Sequence, residues 1–209
     1  STGGRIYGNS DPLADVNDPP TYEALARFLP TDALLVTSHL QRTHQTANAI
    51  REAGLVMPEP HIEEDFAEQN FGDWQGQKRE EVYAKLDAKH TFWLTPAHSR
   101  APGGESFVDL TNRVTSVIDR LTAEHEGRDI IAVTHGGTIR AAIGHALGLD
   151  AEASLTCQID NCSVTRIDRF GPTESHPDGA WAMFHMNQIP TLDSVLAPDP
   201  TAMLAQVQR

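Results

Sequence analysis

The stretch that most constrains this chain is Val133-Thr134-His135-Gly136-Gly137. Ahead of it stands Asp129-Ile130-Ile131-Ala132, a short β-branched, apolar run of the kind that forms a buried parallel strand. Behind it, Thr138-Ile139-Arg140-Ala141-Ala142-Ile143 reads as the opening turns of a helix. His135 therefore sits where a strand ends and a helix begins. In open α/β sheets ligands bind outside the carboxyl ends of the strands, and a helix N-terminus offers free N–H groups to an anion. Two glycines let a ligand approach the backbone closely. Taken alone, the stretch is equally a tight turn with an incidental histidine.

Length and charge narrow the partners. A chain of 209 residues suits one α/β domain with a small insertion. Sixteen basic side chains against 29 acidic ones give a net charge of −13, which argues against a nucleic-acid partner. An anion site would need a local cluster of arginines inside this acidic field. Cys157 and Cys162 match neither a C-x-x-C pair nor a zinc site, and two buried thiols in a reducing cytoplasm are expected. No apolar run reaches 18 residues, so no membrane partner is expected, and no signal-peptide pattern opens the chain.

Strands and helices alternate. Residues 3–18 read as loop and 21–28 as a short helix stopped by Pro30. Residues 33–38 form the first clear strand, too apolar for an exposed edge. A helix follows over 42–53, with Thr43, Thr46, Ala47 and Ile50 on one face. Residues 61–64 read as a short strand, 79–88 as helix and 95–104 as surface loop. The longest helix spans 105–124, where Phe107, Leu110, Val114, Val117, Ile118 and Leu121 keep three-four spacing. Residues 162–167 and 181–186 read as two late strands around a polar turn. After Pro190 only 202–207 has helical character. The expected fold is a three-layer α/β/α sandwich with a mostly parallel central sheet. The strands at 33–38 and 129–134 lie in its interior, and a cap over 64–104 covers the site.

Other polar clusters fall at element ends. Arg42 lies in a first helical turn, where it opposes the helix dipole unless an anion is present; it is equally a solvated surface arginine. Glu68 stands near Phe66, Phe71 and Trp74, which can remove water from a general acid, or it belongs to a plain acidic loop. Pro102-Gly103-Gly104-Glu105-Ser106 reads as a loop and a helix cap.

Together and in order these blocks resemble the histidine phosphatase, or phosphoglycerate mutase-like, superfamily. The resemblance rests on Gly4-Arg5-Ile6-Tyr7-Gly8, Asp11-Pro12-Leu13, Ser38-x-Leu40-x-Arg42-x-x-Gln45-Thr46-Ala47, Glu68-x-x-Phe71-Gly72-x-Trp74-x-Gly76, Gly103-Gly104-Glu105-Ser106, Val133-Thr134-His135-Gly136-Gly137 and Asn161-Cys162-Ser163-Val164. It covers residues 4–167. It implies phosphoryl transfer through a phosphohistidine, with no metal and no cofactor. By position His135 resembles the family's second phosphate-holding histidine, Arg42 a phosphate arginine and Glu68 the proton donor to the leaving oxygen. Tyr7, Gly8, Gly136 and Gly137 resemble substrate-pocket lining. The implied activity is a phosphomonoesterase on small phosphate esters that releases inorganic phosphate. The alternatives are a phosphoglycerate mutase and a non-catalytic phospho-ligand binding protein.

The sequence departs from the family at one point. It holds no Arg-His-Gly triplet, the family's nucleophile motif, and none of its ten histidines ends a substitute N-terminal strand. The spacing to Gly4–Gly8 places the triplet a few residues before Ser1. Losing a central parallel strand would leave backbone groups unpaired on both neighbours. The expectation is an incomplete copy rather than a pseudoenzyme. Lys78, Arg79 and Arg100 are candidates to meet a second acidic group on the substrate, or are solvated surface charges.

Overall fold

The computed structural model describes residues 3–195. Three strands form a parallel sheet in the order β2-β1-β3: β1 (Leu34–Thr37), β2 (His61–Ile62) and β3 (Ile130–Val133). Leu34 pairs with Ile130 and Thr37 with Val133, so β1 and β3 run in register for their whole length. β1 is interior, as its apolar run requires. β3 pairs with β1 alone and is an edge strand among the described residues, not an interior one as its sequence suggested. The two late strands, β4 (Val164–Phe170) and β5 (Ala180–Gln188), pair antiparallel in a sheet of their own.

Period-two alternation divides the sheet's side chains between two layers. Leu35 and Ile131 pack with Tyr22 and Leu25 of α1 (Pro19–Phe28) and with Ala47 and Ile50 of α2 (Gln41–Glu52). Val36 packs on the other face with α4 (Phe107–Glu124) and with Ala141 of α5 (Gly136–Leu147). The predicted stripe of α4, from Phe107 to Leu121, is buried throughout. That helix starts two residues later than expected because Ser106 and Asp109 form a reciprocal capping box.

The segment from the 3-10 turns at Glu64–Phe66 and Gly72–Trp74 to the start of α4 has its own cluster, in which Phe71, Val82, Leu94 and Ala101 pack with Ile6 of the N-terminal loop. Its helix α3 (Arg79–Lys85) is shorter than the sequence suggested, because Leu86 turns to extended backbone. Arg5 bridges to Lys78, which ties the N-terminal loop to this segment. Two short helices, α6 (Ala151–Ser154) and α7 (Leu192–Val195), fall where the sequence showed no helical stripe. The helical character expected at 202–207 lies outside the described residues. Among the described residues no helix is long and apolar enough to cross a membrane, and Cys157 and Cys162 are free thiols.

Candidate active site

Parallel register builds the site. Because Thr37 lies beside Val133, the chain leaves β1 at Ser38 and β3 at Thr134-His135 at the same carboxyl end of the sheet. His135 is the N-cap residue of α5 and is buried. Its Nε2 lies 2.8 Å from the Oγ of the fully buried Ser38. Its Nδ1 lies 3.3 Å from Nε of Arg42, which can only donate. Nδ1 is therefore the acceptor, and the ring proton sits on Nε2 facing Ser38. Burial, with Arg42, Arg113 and His39 adding to it, pushes His135 down to about 3, so the ring is neutral across the ordinary pH range.

Arg42 leaves the first turn of α2, and among the described residues no carboxylate pairs with it directly. Its terminal nitrogens donate to Ser10 O and Gly8 O, each at 2.8 Å, and its guanidinium lies 5.1 Å over the ring of Tyr7. Burial lowers its pKa, and Glu68, Tyr7 and Asp11 oppose that. The helix start itself is capped by Asp11, whose Oδ1 accepts from Gln41 N at 2.8 Å. Gly8 can carry its carbonyl to Arg42 because φ is +48° and a Cβ there would meet Gln69 O at 2.6 Å.

Glu68 is buried at the N-terminus of α5. One carboxyl oxygen accepts from Gln69 N at 2.8 Å, and the other lies 3.3 Å from Gly137 N. A Cβ on Gly137 would stand 2.2 Å from Glu68 Oε1, so only glycine admits the carboxyl this close. The loop carrying Glu68 is clamped by Arg113, which donates to the carbonyls of Asp65 and Ala67 and pairs with both oxygens of Glu105. Glu105 also accepts from Asn70 N, so its carboxyl is committed to structure and does not face the cavity.

The structure thus brings Arg42, Glu68 and His135 to one place, beside a cavity of about 210 Å³. Tyr7, Gly8, Glu68 and Gly136 line it, while Gly137 lies behind Glu68. Of the three cations proposed for a second acidic group, Arg79 is in the wall. Lys78 faces Glu81 at 3.9 Å, and Arg100 pairs with Asp109 at 2.7 Å. Three contributors were not singled out from the sequence: Ser38 as the partner of His135, Arg113 as the clamp, and Arg140 in the cavity wall. Arg140 was findable, because it falls one turn after Gly136 and so shares that residue's face of α5. Among the described residues no cluster of three or more His, Cys, Asp or Glu could hold a metal ion.

The family model of the histidine phosphatase superfamily (branch 1) matches residues 21–175. A bifunctional protein of Mycobacterium tuberculosis is 29% identical over 156 residues, 75% of this chain; the chain spans 41% of that relative's length. Phosphoserine phosphatase 1 of Hydrogenobacter thermophilus is 29% identical over 167 residues, 78% of each protein. A solved mycobacterial glucosyl-3-phosphoglycerate phosphatase, complexed with VO3, superposes with a TM-score of 0.72 at 26% identity, covering 89% of this chain and 92% of that one.

Proposed function

Since the chain belongs to the histidine phosphatase superfamily, we propose that it acts as a phosphomonoesterase on small phosphate esters through a phosphohistidine, with Arg42, His135 and Glu68 as the phosphate-holding and proton-donating groups. The observation that carries this reading is the meeting of Arg42 with His135 beside the Glu68 carboxyl at the N-terminus of α5. Arg42 and the α5 N–H groups stabilise charge on the transferring phosphoryl group. Glu68 gives its proton to the leaving oxygen as the ester P–O bond breaks. In the second step its carboxylate takes a proton from the water that attacks phosphorus, and inorganic phosphate leaves. Tyr7, Gly8 and Gly136 surround the ester, while Gly137 backs Glu68, and the chemistry calls for no metal or cofactor.

The attacking histidine is proposed to enter on a strand upstream of Gly4 that carries the Arg-His-Gly triplet and lies between β3 and β4. Two features support this placement. Among the described residues β3 and β4 each have a single strand partner, yet Ile131 and Val133 share an apolar cluster with Val164. Ala132, in the middle of β3, is exposed although its strand is otherwise half-buried or buried. A strand in that slot would pair both edges and cover Ala132.

The test is an assay of the protein extended to include that segment, on phosphate esters with and without a bisphosphoglycerate primer. Primer-independent phosphate release, with acid-labile phosphate trapped on a histidine, is expected. Primer-dependent isomerisation without phosphate release would replace the phosphatase by a mutase, and binding without turnover would leave a phospho-ligand binding protein.

A further inference from the structure

Between α6 and β4 the chain returns to the cavity beside the phosphoryl site, and Ile159 and Asn161 of this loop stand in the cavity wall. The charged side chains of that wall are poor partners for a neutral group. Arg5, Arg79 and Arg140 can only donate, and both carboxyl oxygens of Glu68 already accept backbone N–H groups. Tyr7 turns its ring face to Arg42. Asn161 is the one side-chain amide in the wall. An amide both accepts and donates, and this one makes no hydrogen bond among the described residues.

The loop that carries Asn161 is fastened from β5. Asn187 Oδ1 accepts from Asp160 N at 2.7 Å, and Asn187 Nδ2 donates to Asp160 Oδ2 at 2.8 Å. Gln158 Nε2 lies 3.2 Å from both oxygens of the same carboxyl. Beyond Asn161 the turn is closed by Ser163, which donates from N and Oγ to Asp160 O at 3.3 and 2.8 Å. Asn187 is itself aimed by a β-bulge. Val164 pairs with Gln188 and Arg166 with His185, so Met186 and Asn187 stand opposite Thr165 alone. Asn187 takes φ +53° there and donates its N–H to Thr165 Oγ1 at 3.2 Å. The extra residue in β5 thus turns a side chain toward the loop at the cavity.

We infer that Asn161 is a specificity-determining residue that accepts the hydrogen of a hydroxyl on the alcohol part of the phosphate ester, and that Asn187 is the positioning residue that holds it there through Asp160. This rests on the phosphomonoesterase reading. A hydroxyl gives one hydrogen and accepts others; an amide answers both needs, whereas an arginine answers only the second. An ester without hydroxyls would strip water from the amide and return nothing.

The experiment compares glycerol 3-phosphate with propyl phosphate, using the extended protein. The two share one phosphate and three carbons and differ only in their hydroxyls. A kcat/KM preference of about tenfold for the hydroxylated ester, expressed mainly in KM, is expected. Asn161→Ala should take that ratio to about one, because the lost acceptor serves only the hydroxylated ester. Asn187→Gly permits the left-handed backbone but removes both bonds to Asp160, and it should shrink the ratio in the same direction. A purely structural loss would lower both esters alike and leave the ratio unchanged. Melting curves establish that each variant folds, and Asn161→Ala decides if Asn187→Gly does not. Calorimetric binding of the two esters judges the inference separately: if neither is hydrolysed, the phosphatase reading fails, while a binding preference lost in Asn161→Ala still supports this one. Equal binding of the two esters by the unaltered protein, or a preference that survives in a folded variant, would overturn it.

Discussion

Arg42 Nε lies 3.3 Å from His135 Nδ1, and among the described residues no carboxylate pairs with Arg42. A cation facing a neutral imidazole is an arrangement waiting for negative charge. An anion seated against both would favour a second proton on His135, whereas in its absence burial holds the ring neutral, down to about 3. Binding of phosphate or vanadate is therefore expected to raise the His135 pKa. Imidazole NMR titration with and without the anion measures this, and an unchanged titration would remove His135 from the phosphate site.

The same depression links folding to pH. The unfolded histidine titrates near its ordinary 6.5, while the folded one titrates near 3. Between those values the unfolded state binds a proton that the folded state does not. The contribution to stability is thus complete above about 6.5 and is lost as pH falls toward 3, at up to about 1.4 kcal/mol per unit. Ordinary carboxyls titrate below about 4.5, so between about 4.5 and 6.5 the difference between the protein and its His135→Asn variant isolates this ring. Denaturant midpoints should fall through that window, and His135→Asn should flatten the slope.

Ser38 supplies the acceptor for His135 Nε2–H in a fully buried setting. Ser38→Ala leaves that donor unmet, at about 1–3 kcal/mol. It also frees the ring to turn, with an expected loss of roughly 10- to 100-fold in turnover. Thermal melting and phosphate-release rates check the two effects.

Glu68→Gln keeps an oxygen for only one of Gln69 N–H and Gly137 N–H, which bond different carboxyl oxygens, and cannot donate the same proton. Phosphate binding should persist while turnover on alkyl esters falls by about 10²-fold or more. The loss should be smaller for a nitrophenyl ester, whose leaving group needs no proton. Equal losses on both would exclude Glu68 as the acid. Glu105 is a poor substitute, since Arg113 takes both its oxygens.

Gly137→Ala tests the contact behind Glu68. In an ordinary helix this exchange stabilises by up to about 1 kcal/mol. Here the new methyl would meet Glu68 Oε1 at 2.2 Å and Leu110 at 3.2 Å. Lower stability and lost activity are expected together, read by melting and by the ester assay. Higher stability with full activity would mean that Glu68 does not need this approach.

The sequence by itself determined the local elements and the order of the polar blocks. Three-four spacing along α4, the apolar run of β1 and the strand-to-helix step at His135 are local patterns, because helix and strand periods act within a few residues. The blocks around Arg42, Glu68 and His135 also fell at element ends, where sheet topology gathers ligand-facing groups. Tertiary structure decided the rest. Ser38 meets His135 across 97 residues only because β1 and β3 pair in register. Glu105 is withdrawn from the cavity by Arg113, and Arg140 is drawn into its wall by Trp93. Apolar composition records burial, whereas strand partners and side-chain partners depend on long-range register and packing that no local period encodes.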